Sequence, residues 1–155
     1  MTYVLKVVIA LIMISTPVNV LSKEGSGLET NGDITVEMFY GTLDDDCKSI
    51  GLTRELLQSK VELRLRRNGL TPVTTEDDPY YLFVKVVATK TAFSTGLEFR
   101  RKITYRVKGK EYVKYATVWT DNTVGAHANS KEYIMGGLYD KLDTFSAKYL
   151  SINKL

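Results

Sequence analysis

Apolar and polar residues alternate in four parts of the chain, and this period of two predicts four β-strands. The predicted strands cover residues 33–40, 80–91, 97–108 and 111–120. Both faces of the second strand are largely apolar, which is typical of a central strand. We expect Ser94-Thr95-Gly96 to turn the chain before the third strand, and Lys108-Gly109-Lys110 to form a tight hairpin before the fourth.

Two further segments carry apolar residues at spacings of three and four, which predicts amphipathic helices over residues 52–68 and 131–150. Asn68-Gly69 gives the first helix a left-handed stop, and Ser130 is placed to cap the second. Gly136-Gly137 lies inside the second helix, where each glycine costs about 1 kcal/mol relative to alanine. That cost predicts a close approach of the helix backbone to the sheet.

The order strand–helix–strand–strand–strand–helix predicts an α+β fold built as a two-layer sandwich. We expect a four-stranded, mixed and mostly antiparallel sheet with two helices packed on one face. We also expect Trp119, Phe145 and Tyr149 to share the core between the sheet and the last helix. Period two gives the last strand one continuous face: Val113, Tyr115, Thr117 and Trp119.

The first 22 residues have the pattern of a secretory signal peptide. Lys6 precedes an unbroken apolar run over residues 7–14, Pro17 ends any helix, and Val20-Leu21-Ser22 is compatible with a cleavage site. The apolar run is too short to span a bilayer as a stable helix. We therefore expect a secreted or periplasmic protein with no transmembrane segment after cleavage.

The rest of the chain is predicted to form one domain. Residues 23–32 are rich in glycine and polar side chains and are interpreted as a disordered leader. Residues 33–155 then form a single α+β domain, which is long enough to bury one core.

Composition narrows the function classes. The chain has 21 Lys and Arg, 18 Asp and Glu and a formal net charge of +3. Removing the signal segment, which holds one lysine and no acid, lowers that charge to +2. A balance so close to zero argues against a dedicated nucleic-acid binder. The single cysteine, Cys47, has no partner for an internal disulfide.

Basic residues supply the candidate binding site. Period two places four of them on one face of the predicted hairpin: Arg100, Lys102, Arg106 and Lys108. Such a stripe fits an anionic partner, which is a lipid headgroup, lipopolysaccharide or an acidic protein. The alternative is an ordinary solvated face whose charges protect the sheet from unwanted pairing.

Other chemically capable residues are interpreted as structural. His127 is the only histidine and has no Gly-x-Ser-x-Gly elbow or His/Cys cluster with it, so we expect a solvated loop residue. Asp44-Asp45-Asp46 lacks the alternating ligands of a calcium loop and is interpreted as solvated. This acidic surrounding also disfavours a reactive thiolate at Cys47. No catalytic, cofactor-binding or metal-binding residue is predicted.

Residues 49–154 resemble a family of small secreted bacterial proteins of unknown function. The resemblance is carried by four pieces: Leu65-Arg66-Arg67-Asn68-Gly69-Leu70, Tyr80-Tyr81-Leu82-Phe83-Val84-Lys85-Val86, Ala116-Thr117-Val118-Trp119, and the closing Asp143-x-Phe145-x-x-x-Tyr149-Leu150-x-x-Asn153. These are mostly core residue types, so the resemblance implies a fold and no particular reaction.

These features predict a non-catalytic secreted or periplasmic interaction or scaffold protein of the cell envelope. Its expected partners are an envelope protein or an anionic lipid or lipopolysaccharide, without nucleic acid and without a cofactor. The alternative is a small hydrolase or metal-dependent enzyme with a site near residues 44–46. A pocket joining that acidic segment to His127 is the feature that favours the enzyme.

Overall fold

The computed structural model describes residues 25–30, 34–43, 45–73, 78–127 and 130–154. The predicted signal peptide, residues 1–22, lies outside the described residues. Eight elements follow in chain order: β1 (Ile34–Leu43), α1 (Asp45–Ser49), α2 (Arg54–Arg67), β2 (Pro72–Val73), β3 (Tyr80–Ala88), β4 (Ala92–Val107), β5 (Lys110–Ala126) and α3 (Lys131–Asn153).

The strands form one mixed sheet in the order β2-β1-β3-β4-β5. β1 runs parallel to β2 and β3, whereas β3, β4 and β5 are successively antiparallel. The α+β class is confirmed, but five strands and three helices replace the expected four and two. β2 has only two residues and α1 only five, so neither is long enough to show a hydrophobic period.

Capping residues define both ends of α2 and the start of α3. The Thr53 hydroxyl accepts from the Leu56 N–H at 3.2 Å, and Ser130 caps α3 by accepting from Tyr133 N–H at 3.2 Å. At the end of α2, Gly69 has a φ of 87°, and Leu70 N–H donates to the Leu65 carbonyl at 3.0 Å. The predicted left-handed stop is thus confirmed.

The turn between β3 and β4 lies earlier than predicted. Thr89 N–H donates to the Ala92 carbonyl at 2.9 Å, and β4 starts at Ala92. Residues 94–96 are therefore strand, not turn. A side chain at Gly96 would collide with the side chain of Asn122 on β5, so this glycine marks a close approach between neighbours and not a reversal of the chain.

β5 contains a bulge that reverses its alternation. Phe99 pairs with Trp119 but Arg100 pairs with Thr117, so Val118 is an extra residue. Trp119 faces the helices with Phe99, whereas Thr117 lies on the opposite face with Arg100. The single face predicted for residues 113, 115, 117 and 119 is therefore wrong at Trp119.

The core lies between the sheet and helices α2 and α3. Phe145 of α3 lies at its centre, with ring centroids 5.4 Å from Trp119, 6.0 Å from Phe99 and 5.6 Å from Tyr149. Phe145 and Tyr149 have no exposed surface, and Trp119 is partly buried against them. The predicted core triad is confirmed.

Residues 25–30 pack against the end of α3. Leu28 is fully buried in the core. Asn153 holds the segment with two bonds: its Oδ1 accepts from Thr30 N–H at 2.7 Å, and its Nδ2 donates to the Leu28 carbonyl at 3.0 Å. Residues 25–30 of the predicted leader thus contact the end of α3, whereas residues 23, 24, 31 and 32 lie outside the described residues.

An ion pair joins α2 to α3. Arg64 binds Asp143 through both Nε, at 2.6 Å, and Nη2, and Asn68 Nδ2 donates to the same carboxylate at 2.8 Å. The hydrogen bond from Arg64 lowers the pKa of Asp143; Asn68 adds to the shift, and desolvation opposes it. Within the described ranges, no helix is long and apolar enough to cross a membrane.

Truncating Phe145 tests the core. We expect Phe145→Ala to lower the free energy of unfolding by about 3–5 kcal/mol, because it leaves a cavity among three aromatic rings. Leu63→Ala is the control: Leu63 is 42% exposed, and its truncation should change stability by less than about 0.5 kcal/mol. Urea unfolding measures both, and equal midpoints for the two variants would contradict this packing.

The Arg64–Asp143 pair gives stability a specific pH dependence. Because the pKa of Asp143 is lower in the folded state, its contribution is present above the unfolded pKa and is lost as pH falls through the folded one. Asp143→Asn should therefore lower stability at neutral pH by no more than about 1 kcal/mol, since the pair is partly exposed. Wild type and variant should converge only once the pH has fallen below the folded-state pKa of Asp143, which is lower than its ordinary value of 3.8. Melting curves across pH measure this, and a constant difference would rule it out.

Candidate functional site

β4 and β5 extend beyond the rest of the sheet as a two-stranded arm, defined as residues 102–115. Pairing between β3 and β4 stops at Arg101, and six further pairs between β4 and β5 continue to the turn. At about 3.4 Å per residue, the arm is about 20 Å long. Every residue from 104 to 115 is exposed.

The turn at the tip of the arm matches the hairpin prediction. Lys108 and Gly109 have φ values of 50° and 78°. Two successive left-handed residues give the two-residue turn whose twist fits an antiparallel ribbon. The arm is therefore a regular hairpin with a tight end.

The arm and the residue before it carry a strong positive charge. Six basic residues and one acid, Glu111, lie between positions 101 and 114, for a formal charge of +5. The basic residues are Arg101, Lys102, Arg106, Lys108, Lys110 and Lys114. This local charge of +5 exceeds the net charge of +3 of the whole chain, so the rest of the protein is slightly acidic.

The two faces of the arm differ in chemistry. The pairing register places Ile103, Tyr105, Val107, Tyr112 and Lys114 on one face. Tyr105 and Tyr112 stack with ring centroids 5.6 Å apart, and Lys114 Nζ lies 5.2 Å from the Tyr105 ring. Both tyrosines remain exposed. This face therefore combines exposed aromatic surface with positive charge.

The base of the arm is held to the body of the protein. Tyr115 Oη donates to the Asp78 carbonyl at 2.6 Å, and Lys102 N–H donates to the Pro79 carbonyl at 2.7 Å. The Tyr115 ring also lies 4.9 Å from the Tyr81 ring, edge to face. These contacts fix the base while the distal part of the arm stays in solvent.

The structure separates Arg100 from the other predicted binding residues. Arg100 Nε and Nη2 donate to Glu98 at 2.9 and 2.7 Å, and Nη1 donates to Tyr81 Oη at 3.2 Å. Its guanidinium lies 3.8 Å from the centroid of the Phe83 ring. Arg100 shares the face of Lys102 and Arg106, but its guanidinium is already bound by neighbours on β3 and β4. The binding role of the predicted stripe stays a prediction.

Lys102, Arg106 and Lys108 all belong to the arm. Lys102 and Arg106 are exposed on the face opposite Tyr105 and Tyr112. Arg106 lies 3.4 Å from Glu111 in an exposed pair, which contributes little to stability. Lys108 lies in the turn, where the alternation that assigned it to a strand face has ended.

Two basic residues of the arm region, Arg101 and Lys114, were not among the candidates from the sequence, whereas Lys110 was noted there as part of the hairpin. Period two placed Arg101 on the apolar side, and the pairing set by the two-residue turn at Lys108-Gly109 places Lys114 beside Tyr105. Counting the basic residues between positions 101 and 114, without regard to strand face, would have included them.

Burial of Glu98 and Arg100 shapes their titration. Desolvation raises the pKa of Glu98, but hydrogen bonding and charge from Arg100, with the Thr117 hydroxyl, outweigh it, and the net pKa is lowered. For Arg100 the bonds to Tyr81 and Glu98 outweigh desolvation and raise the pKa. The pair therefore stays charged and mutually bound at neutral pH.

His127 is buried, which corrects the expectation of a solvated loop residue. It is only 3% exposed, and its Nε2 donates to the Thr89 carbonyl at 2.6 Å. Cys47 Sγ, also buried, donates to the same carbonyl at 3.6 Å. β5 continues to Ala126, so His127 follows directly after the strand and lies at the edge of the core. The sequence indicated a polar loop at this position. Both side chains fix the β3–β4 turn.

The acidic segment is described only in part. Asp45 is exposed and pairs with Lys48 of the same helix at 2.8 Å. Asp44 and the side chain of Asp46 lie outside the described residues. In the part of the chain that the structure describes, no group of three or more His, Cys, Asp or Glu side chains is placed to hold a metal ion.

No family model matches the chain, and neither a curated protein nor a solved structure matches it. The family resemblance of the closing helix therefore stays a prediction. Its signature residues have structural roles here: Asp143 binds α2, Phe145 fills the core, and Asn153 binds residues 28 and 30.

Removing Arg100 should affect folding and not binding. Arg100→Ala leaves the half-buried Glu98 carboxylate without its guanidinium and should cost roughly 1–3 kcal/mol of stability. Arg66→Ala is the matched control, because Arg66 is exposed at the end of α2 and should change stability by less than about 0.5 kcal/mol. Thermal melts compare the two, and equal melting temperatures would mean that the Glu98 site tolerates an unpaired charge.

Proposed function

We propose that the protein is a non-catalytic interaction protein of the cell envelope that binds an anionic lipid surface through the arm. One observation carries the proposal: a formal charge of +5 between positions 101 and 114 is displayed on a hairpin whose residues 104–115 are all exposed. The predicted signal peptide supports an envelope location.

The arm creates a stronger positive potential than the small net charge of the whole chain suggests. Local clusters of one sign create a strong field even on a nearly neutral protein. Basic residues lie on both faces and at the tip of the arm. Positive charge therefore faces an anionic surface in any orientation of the arm about its long axis. Near an anionic membrane each Lys or Arg is worth about 1 kcal/mol of attraction.

The exposed aromatic residues favour a lipid surface over an acidic protein. Tyr105 is 39% exposed and Tyr112 44% exposed, beside Lys114. Tyrosine has an apolar ring and a polar hydroxyl, which suits the boundary between headgroups and acyl chains. The charges alone suit an acidic envelope protein equally well, and the aromatic face adds a feature that the membrane boundary accommodates.

The catalytic alternative near residues 44–46 has less support. Asp45 is bound to Lys48 on the surface, whereas His127 is bound to the Thr89 carbonyl in the interior. The two side chains thus face different environments and hold partners of their own. The interaction role rests instead on the arm, whose charged side chains are exposed and therefore accessible to a partner.

Charge reversal in the arm tests the proposal. Lys102→Glu/Arg106→Glu/Lys110→Glu should weaken binding to phosphatidylglycerol vesicles roughly tenfold or more, because three attractive charges become repulsive. Arg66→Glu/Lys90→Glu/Lys148→Glu is the matched control: all three residues are exposed elsewhere, and the change in net charge is identical. Cosedimentation measures both, and added salt should weaken wild-type binding, since exposed charges are screened over about 10 Å at 0.1 M.

Three outcomes count against the proposal. Equal loss in both triple variants would mean that net charge, not the arm, governs attraction. Equal binding by the arm variant and wild type would exclude the arm. Absence of vesicle binding together with crosslinking of the arm to an acidic envelope protein would replace the lipid by that protein.

A further inference from the structure

A groove lies between α2 and the first half of α3, distant in sequence from the arm. It is partly open to solvent and has a volume of about 430 Å³. Its apolar lining comes from Leu56 on α2 and from Met135, Gly136 and Tyr139 on α3. A smaller cavity of about 80 Å³ continues it along α2, shares Tyr139 and Lys60, and adds Leu63 and Arg67. The larger volume lies in the range of small-molecule sites.

Gly136 keeps this groove open. A Cβ built on Gly136 would meet no atom within 4 Å, whereas one built on Gly137 would touch Phe93 of β4 at 4.0 Å. The expected close approach to the sheet is therefore wrong at Gly136. Glycine inside a helix is unfavourable relative to alanine, and no neighbouring atom is close enough to require a glycine at position 136. Its missing side chain leaves room in the groove instead.

Cations dominate the rim. Lys60, which lines both cavities, and Lys131 and Arg67 make no ion pair with any residue that the structure describes. Glu132 is the only acid among the described residues of the lining, and its carboxylate accepts from the Ser130 hydroxyl at 3.4 Å. An apolar channel with unpaired cations at its edge is complementary to an apolar chain that ends in an anion.

We propose that this groove binds a fatty acid. The acyl chain lies over Leu56, Met135 and Tyr139, in the space that Gly136 leaves, and Lys60 binds the carboxylate. A volume of about 430 Å³ suits one small amphiphile, and the cations at its edge suit an anionic head group. This site is independent of the arm and of the lipid-surface role proposed for it.

Filling the groove from Gly136 provides the test. Laurate binding is measured by calorimetry below its micellar concentration. Gly136→Leu should weaken it roughly tenfold or more, because the new side chain occupies the acyl site. Its melting temperature should stay equal or rise, since a better helix former replaces glycine. Binding and stability then move in opposite directions, which misfolding of the variant does not produce.

A matched pair separates groove filling from helix propensity. Gly136→Ala and Gly137→Ala make the same chemical change on adjacent residues, but only the first narrows the groove. We expect weaker laurate binding for Gly136→Ala alone. Lys60→Met should weaken laurate roughly tenfold by removing the cation that binds the carboxylate, while binding of the uncharged dodecanol stays unchanged.

The arm variant Lys102→Glu/Arg106→Glu/Lys110→Glu should bind laurate as wild type does, so failure at one site is distinguishable from failure at the other. Three results would overturn the fatty-acid proposal: no laurate binding by wild type, undiminished binding by Gly136→Leu, or equal weakening by Gly136→Ala and Gly137→Ala. Binding of lysophosphatidylglycerol without laurate would also overturn it in favour of a larger lipid.

Discussion

The packing of α3 against three different neighbours is the constraint on which the rest of the structure depends. Phe145 lies among Phe99, Trp119 and Tyr149, and the buried Lys141 pairs with Asp121 of β5 on the same side of the sheet. Other faces of the helix hold α2 through Asp143 and residues 25–30 through Asn153. One amphipathic helix thus packs against segments that are far apart in the sequence.

The bulge at Val118 divides β5 into two parts with different roles. Beyond the bulge, Trp119 and Asp121 face α3 and complete the core. Before it, the alternation is reversed, and Tyr112 and Lys114 share a face with Tyr105 of β4. None of the helices that the structure describes lies over residues 104–115, whose side chains are exposed. The bulge therefore lets Trp119 enter the core, while the two-residue turn at Lys108-Gly109 sets which side chains share a face of the arm.

The two proposed sites use different physical forces. Attraction by the arm is electrostatic and weakens as salt screens exposed charges. Affinity in the α2–α3 groove comes chiefly from apolar contact with Leu56, Met135 and Tyr139, which salt affects much less. The strands of the arm and the helices of the groove contact each other through the core, but no residue belongs to both sites. A protein that binds an anionic surface at one site and a fatty acid at another would combine both on a small scaffold, and salt titration separates the two contributions.

The sequence by itself determined the α+β class, the end of α2 at Asn68-Gly69, the Ser130 cap of α3, the hairpin at Lys108-Gly109 and the aromatic core. These features follow from local periods and from turn residues with definite backbone preferences. Only the tertiary structure decided which face Trp119 occupies, because a bulge depends on the partner strand and not on the strand's own sequence. It also decided that Arg100 is bound by Glu98, Tyr81 and Phe83, that His127 is buried, and that Leu28 belongs to the core. Each of these depends on a contact between residues distant in the chain, and a local pattern carries no information about such a partner.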